Sequence, residues 1–291
     1  MERSRKAIIL AGGSGSRLSP LTTSISKQIL PIYDKPMIYY ALTVLMLAKI
    51  REFLIITSPR DNMLFRNLLG NGEKFGISIE YKVQDQPNGI AEAFILGENF
   101  IKESPSALIL GDNLFYGDDL IKKINIANSR KDGATVFAYQ VKDPERYGVV
   151  NFDKSNNIID IEEKPINPQS NFVITGLYFY DKNVVDYAKN LKPSNRGELE
   201  ITSINKSYLN DKKLNLELLG RGNAWLDTGT FESLLEASNF IRTIENRQGL
   251  KIGSPEEIAW KMKWINDKQL IKLAEPMCNN DYGKYLLNLL N

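Results

Sequence analysis

Three glycines, an arginine and a lysine cluster near the start of the chain, in Leu10-Ala11-Gly12-Gly13-Ser14-Gly15-Ser16-Arg17 and then at Lys27. A glycine-rich turn that follows a strand presents consecutive backbone N–H groups to phosphate oxygens, and two cations just beyond it offset the charge of a triphosphate. Arginine grips two oxygens at once, whereas lysine supplies a compact point charge. Two familiar templates fail here. A dinucleotide fingerprint starting at Gly13-Ser14-Gly15 needs glycine or alanine where Leu18 stands, and a Walker A loop needs Gly-Lys-Ser/Thr where the chain has Gly15-Ser16-Arg17. Taken alone, the segment is a phosphate cradle or a plain tight turn after a core strand.

Two carboxylates stand in comparable settings. Asp112, in Leu110-Gly111-Asp112-Asn113, follows a buried strand, at the sheet edge where ligands gather in α/β folds. Asp227, in Trp225-Leu226-Asp227-Thr228-Gly229-Thr230, supplies the second. Two carboxylates, phosphate oxygens and water make an octahedral oxygen site suited to Mg²⁺, although each Asp alone reads equally as a turn or helix cap. In Gln84-Asp85-Gln86-Pro87-Asn88-Gly89 the Gln84 amide both donates and accepts and Gly89 offers backbone at close range, but taken alone the segment reads better as an exposed turn before a helix. Glu163 can accept hydrogen bonds, Lys164 supplies a cation and Gly148 permits close backbone approach, although Glu162-Glu163-Lys164-Pro165 alone reads as an ordinary surface turn.

The chain contains no histidine. Ser-His-Asp triads and histidine-ligated zinc are therefore excluded, and any chemistry must run on carboxylates, lysines, arginines, backbone amides and a hard metal ion.

The elements that must position these groups are legible in the apolar pattern. Short runs rich in Ile, Val, Phe and Leu at 6–10, 53–57, 77–83, 107–110 and 134–141 alternate with amphipathic segments at 36–47, 61–69, 91–100 and 120–129. That order predicts β-α units around a mixed, mostly parallel sheet, a Rossmann-like α/β fold. From Tyr147 a mixed β region is expected, with strands at 148–152, 158–162 and 173–180. Beyond Thr230 the pattern is helical, and Ser254-Pro255-Glu256-Glu257 is a helix start with cap, first-position proline and first-turn acids. The simplest organisation is one compact α/β domain over 1–240, with parts at about 1–145 and about 146–230, followed by a helical extension over 241–291.

With 291 residues, 43% of them hydrophobic, the chain can bury a sizeable core. A net charge of +2 with acids and bases interspersed argues against a nucleic-acid partner. The single cysteine, Cys278, excludes an intrachain disulfide. Glu2 to Lys6 is basic, but the apolar stretch after it is too short for a signal peptide, and no segment reaches the roughly 20 apolar residues of a membrane span. A cytoplasmic protein without membrane partners is expected.

The run from Leu10 to Leu18, followed by Ser26-Lys27-Gln28-Ile29-Leu30-Pro31-Ile32-Tyr33-Asp34-Lys35-Pro36-Met37-Ile38-Tyr39-Tyr40, resembles the signature of the sugar-1-phosphate nucleotidylyltransferases, and the match extends through most of the chain. The resemblance implies dTTP and glucose 1-phosphate as substrates and Mg²⁺ as cofactor. Nucleotide contacts then fall on Leu10, Gly12, Gly13, Ser14, Gly15, Ser16, Arg17, Gln84, Pro87, Gly89 and Asp112. Sugar-phosphate contacts fall on Asn113, Tyr147, Gly148, Glu163, Lys164, Ile174 and Tyr178. Arg17, Lys27, Asp112, Lys164 and Asp227 become the catalytic set, with Asp112 and Asp227 at the metal. The same resemblance implies a homotetramer and feedback by dTDP-L-rhamnose at Tyr116, Gly117, Arg221, Glu257 and Ile258. Two departures bear on that regulation: Gly117-Asp118 stands where many relatives have Gly-His, and Ser254 where many have cysteine. A UTP-using sister activity and a non-catalytic nucleotide-sugar-binding subunit remain as alternatives.

Overall fold

Ala7, Ile8, Ile9 and Ala11 are all buried, so the strand Lys6–Ala11 lacks the alternation of a half-exposed strand. Shielding on both faces places such a strand inside a sheet. The computed structural model describes residues 3–13, 15–155 and 157–291.

In chain order the elements are β1 (Lys6–Ala11), β2 (Pro31–Ile32), β3 (Lys35–Pro36), α1 (Met37–Leu47), β4 (Glu52–Thr57), α2 (Asn62–Leu69) and β5 (Ser78–Val83). There follow α3 (Glu92–Leu96), α4 (Glu98–Ile101), β6 (Ser106–Leu110), β7 (Asn113–Gly117), α5 (Leu120–Ser129), β8 (Ala134–Gln140), β9 (Gly148–Phe152), β10 (Ile158–Glu163) and β11 (Phe172–Tyr180). The chain ends with α6 (Val184–Lys189), α7 (Ile201–Asn210), β12 (Leu214–Leu219), β13 (Asn223–Asp227), α8 (Phe231–Gln248), α9 (Pro255–Lys261), α10 (Asp267–Ala274) and α11 (Asp281–Asn288). The fold is α/β with a mixed sheet, as expected. The helix expected over 91–100 is interrupted at Gly97 and forms α3 and α4, while β7, β12, β13, α6 and α7 are additions to the expected set.

Contacts divide the chain into two compact units. The first comprises Met1–Leu10, Gln86–Ile109 and Tyr116–Trp225; the second comprises Ala11–Asp85, Leu110–Phe115 and Leu226–Asn291. In the first unit the strands run in the order β10-β9-β11-β6-β1. β11 is antiparallel to β6, β8 and β9, and β12 joins β8 in parallel. Arg5 ties this unit together. Its Nη1 donates to the carbonyls of Ser106 and Tyr180, both at 2.7 Å, its Nη2 to that of Arg130 at 2.8 Å, and its Nε to Asn128 Oδ1 at 2.9 Å. The guanidinium also lies over the Phe179 ring. A basic residue of the N-terminal cluster thus serves as a buried hydrogen-bond hub.

In the second unit β4 and β5 pair in parallel, and α1 buries every residue from Met37 to Met46. A helix that is apolar all round belongs in a core. The β2–β3 hairpin that leads into it is held by buried charges. Lys35 Nζ reaches Glu245 Oε1 on α8 at 2.8 Å and also bonds Asp34, and Lys251 Nζ reaches Asp34 at 2.6 Å and Glu245 at 2.9 Å. Beside it Ile32, Met37, Tyr40 and Leu114 pack with Ala237 and Ile241 of α8. Ser254 does cap α9, accepting from the Glu257 N–H with Pro255 at the first position. No helix among the described residues is long and apolar enough to cross a membrane.

Arg5→Met keeps apolar bulk but leaves several buried carbonyls without donors. Such groups cost about 1–3 kcal/mol each, so urea unfolding should show a loss of at least about 2 kcal/mol. A loss under about 0.5 kcal/mol would mean that the hub contributes little.

Candidate active site

β1 ends at Ala11, and Gly12, Gly13 and Gly15 carry the chain out of the sheet. Ser14, the remaining residue of this expected cradle, lies outside the described residues. Gly15 adopts φ 63°. A Cβ there would stand 2.8 Å from Thr22 Cγ2, and the Thr22 hydroxyl donates to the Gly15 carbonyl at 2.8 Å, so both backbone and packing require glycine. A 3₁₀ turn over Ser16–Leu18 then buries Leu18 and leaves Arg17 exposed. A second such turn, Lys27–Ile29, buries Lys27.

Lys27 does not stand alone. Its Nζ lies 2.6 Å from Asp112 Oδ2, and Asn113 Nδ2 donates to Asp112 Oδ1 at 3.0 Å. The Asp112 carbonyl accepts from the Thr228 N–H at 3.3 Å and from its hydroxyl at 3.0 Å, which sets the Asp227 segment beside Asp112. Gly229 sits between further charges: a Cβ on it would stand 3.1 Å from Arg17 Nη2 and 3.4 Å from Asp227 Oδ2. Thr230 closes this segment as the N-cap of α8, in a reciprocal capping box with Ser233. Gly13, Gly15, Arg17, Lys27, Asp112 and Gly229 line a polar cavity of about 270 Å³. Burial would raise the Asp112 carboxyl, but Lys27, by charge and by hydrogen bond, and Asn113 outweigh it and hold the group below the usual carboxylate range. Asp112 is therefore an anion at neutral pH.

Gln84 is buried, with its N–H on the Thr57 carbonyl at 2.9 Å. Its Oε1 lies 2.9 Å from where a Cβ on Gly12 would stand, so the amide packs directly against the glycine loop.

In the first unit several residues expected at the sugar lie on or beside β9 and β10. Gly148 pairs directly with Glu163, and the Lys164 N–H bonds the Tyr147 carbonyl at 2.9 Å. Lys164 has φ 47°. Lys49, Lys212 and Lys263, which also have positive φ, follow helices, where a left-handed residue is an ordinary terminator. Lys164 instead follows a strand, where a positive φ on a non-glycine residue costs about 1–3 kcal/mol. Tyr178 and Ile174 are buried on β11; burial and the Glu163 charge both raise the Tyr178 hydroxyl far above its ordinary value.

Three residues here escaped the sequence reading. The Thr202 hydroxyl, in the first turn of α7, donates to Glu163 Oε2. Arg196 Nη2 lies 3.6 Å from Glu163 Oε1. Trp225 packs edge-on against Tyr147, centroids 5.2 Å apart. Nothing local in the sequence signals any of the three, because each contact joins residues that are far apart in the chain. Of the expected regulatory residues, Tyr116 and Gly117 end β7, Arg221 lines a separate cavity of about 630 Å³ with Tyr139 and Lys142, and Glu257 and Ile258 lie on α9, where Glu257 bonds Tyr285.

Among the described residues no three Asp, Glu or Cys side chains gather as a metal cluster. Asp112 and Asp227 offer hard carboxylate oxygens beside two cations, a donor set that fits a hard divalent ion sharing its shell with phosphate.

Residues 6–244 match the nucleotidyl transferase family. The chain is 58% identical over 285 residues to glucose-1-phosphate thymidylyltransferase of Xanthomonas campestris pv. campestris (strain B100), covering 98% of this chain and 97% of that one. A crystal structure from Bacillus anthracis, described as a glucose-1-phosphate thymidylyltransferase in complex with a sucrose, superposes with a TM-score of 0.77 at 44% identity, covering 82% of this chain and 96% of that one. UDP-glucose pyrophosphorylase complexed with UDP-glucose superposes with a TM-score of 0.74 at 25% identity, covering 83% and 100%.

The depressed Asp112 carboxyl stabilises the fold at pH values above its ordinary value near 3.9, and that contribution is lost as pH falls through its lower folded value. Lys27→Met should therefore shrink the gain in unfolding free energy between about pH 3 and about pH 6. Urea melts at the two pH values check this, and an unchanged gain would show that the pair does not set the Asp112 ionisation.

Proposed function

This chain belongs to the nucleotidyl transferase family, and from that premise we propose that it transfers the thymidylyl group of dTTP to glucose 1-phosphate, releasing pyrophosphate and forming dTDP-glucose. The observation that carries the reading at the level of chemistry is the small cavity where Arg17, Lys27 and Asp112 meet the glycine loop.

An oxygen of the sugar phosphate attacks the α-phosphorus of dTTP, and the bond from that phosphorus to the α,β-bridging oxygen breaks. The attacking oxygen is already anionic, so no general base is required, in keeping with a chain that has no histidine. Catalysis then reduces to positioning and to stabilising charge on the departing pyrophosphate. Arg17 and the backbone amides of the glycine loop hold that leaving group. Lys27, ion-paired with Asp112 at 2.6 Å, faces the triphosphate. Lys164 neutralises and orients the sugar phosphate, while Glu163 and Gly148 bind sugar hydroxyls. Gln84, supported by Pro87 and Gly89, reads the base. Mg²⁺ held by Asp112 and Asp227 would draw negative charge from the phosphates.

Thymine differs from uracil by a methyl group, worth about 1–3 kcal/mol, so some use of UTP is expected. Nucleotide binding is assigned to about 1–145, sugar binding to about 146–230, and assembly of a homotetramer to 241–291. Feedback by dTDP-L-rhamnose is assigned to Tyr116, Gly117, Arg221, Glu257 and Ile258. The cytoplasm is the compartment that suits a dTTP-consuming reaction.

A pyrophosphate-release panel of nucleoside triphosphates against sugar 1-phosphates tests the reading. The highest kcat/KM is expected for dTTP with glucose 1-phosphate, and no release from any pair would refute an enzymatic role. In the same assay Arg17→Ala should lower kcat by about 10²- to 10³-fold. A loss below threefold would remove Arg17 from the leaving-group site.

A further inference from the structure

Glu200 has no part in the chemistry described above, yet it is buried and fully engaged. Its carboxylate accepts from Arg196 Nη2 at 2.8 and 2.9 Å, from Arg196 Nε at 3.1 Å and from the Ser194 hydroxyl at 2.8 Å. Those bonds close the turn over 194–198, which backbone bonds from Gly197 to Ser194 at 2.8 Å and from Ser194 to Glu198 at 2.9 Å also hold.

The chain leaving this turn touches both substrate-recognition loops of the first unit. Leu199 is clipped to the loop that carries Pro87 and Gly89: its N–H donates to the Asn88 carbonyl at 2.7 Å, and its carbonyl accepts from the Ala91 N–H at 3.1 Å. Gly89, at φ 111°, lies so close that a Cβ on it would stand 2.4 Å from the Leu199 oxygen. On the other side Thr202 bonds Glu163, and the Arg196 guanidinium that Glu200 grips lies 3.6 Å from the same carboxylate. A displacement of the 87–91 loop must therefore move Leu199, with it Glu200, and through Arg196 and Thr202 the orientation of Glu163.

We propose that the segment 194–202 couples recognition of the nucleotide base to the grip on the sugar, and that Glu200 is the positioning residue that makes this segment rigid. The inference rests on reading Gly89 as a base contact and Glu163 as a sugar contact. Coupling of this kind is reciprocal, since each ligand favours the same arrangement of one packed element.

Calorimetric titration of glucose 1-phosphate, alone and with saturating α,β-methylene dTTP, measures the coupling as a ratio of two Kd values. In the wild-type protein the nucleotide should tighten sugar-phosphate binding at least about fivefold. Tripolyphosphate, which has no base, should not. Glu200→Gln should cut the ratio below about twofold, and Gly89→Ala, made in the opposite loop, should do the same and carries the test if the first variant does not fold. The proposal is overturned if both variants keep the wild-type ratio, if tripolyphosphate tightens binding as well as the nucleotide, or if the wild-type protein shows no tightening while still releasing pyrophosphate from dTTP and glucose 1-phosphate. Absence of that release would instead defeat the functional reading on which the coupling stands.

Discussion

The ion pair between Lys27 and Asp112 is the constraint around which the second unit is arranged. Lys27 is almost wholly buried, and an ammonium taken out of water with no partner would lose its proton or unfold its surroundings. Asp112, 85 residues away, supplies that partner, so the loop after β1 and the end of β6 must meet. Thr228 then fastens the Asp112 backbone, and the capping box at Thr230 ties the same segment to the start of α8. The far end of α8 returns through Glu245 to Lys35, on the hairpin that follows Lys27. One helix is thus tied at its start to the segment beside Asp112 and near its end to the hairpin after Lys27.

Preformed charge is what this chemistry asks of a protein. A nucleophile that is already anionic needs no proton removed, so the work lies in holding two phosphates in line and stabilising the one that leaves. Arg17 stays exposed while Lys27 is buried against Asp112. In the first unit Lys164 holds a positive φ after β10, with its N–H bonded to the Tyr147 carbonyl.

How much of this was legible beforehand follows the range of the interactions. β1, β4, β6 and β9 announce themselves because they are apolar runs with local turn signals. The glycine loop is legible because Gly15 answers a local demand of the backbone, and the Ser254 start of α9 because capping is settled within a few residues. β12 escaped because Leu214–Leu219 alternates weakly and is defined by its parallel partner β8, far upstream. Arg196, Thr202 and Glu200 escaped for the same reason: an ordinary polar stretch acquires a role only when α7 brings it to β10. Glu256 is a first-turn acid of α9, as its sequence position implies, and it is buried against the Tyr282 hydroxyl at 2.6 Å, where burial raises its carboxyl above the ordinary range. Local sequence predicts its helix position but not the helix α11 that covers it.

A single in-line displacement driven by charge and position leaves a stereochemical signature at phosphorus. The reaction is run with dTTP carrying sulfur at the α-phosphorus in one known configuration, and the configuration of the thio-substituted dTDP-glucose formed is determined. A single displacement inverts that centre. Retention would require two successive displacements through a covalent enzyme intermediate, and would contradict an account in which no protein side chain acts as a nucleophile.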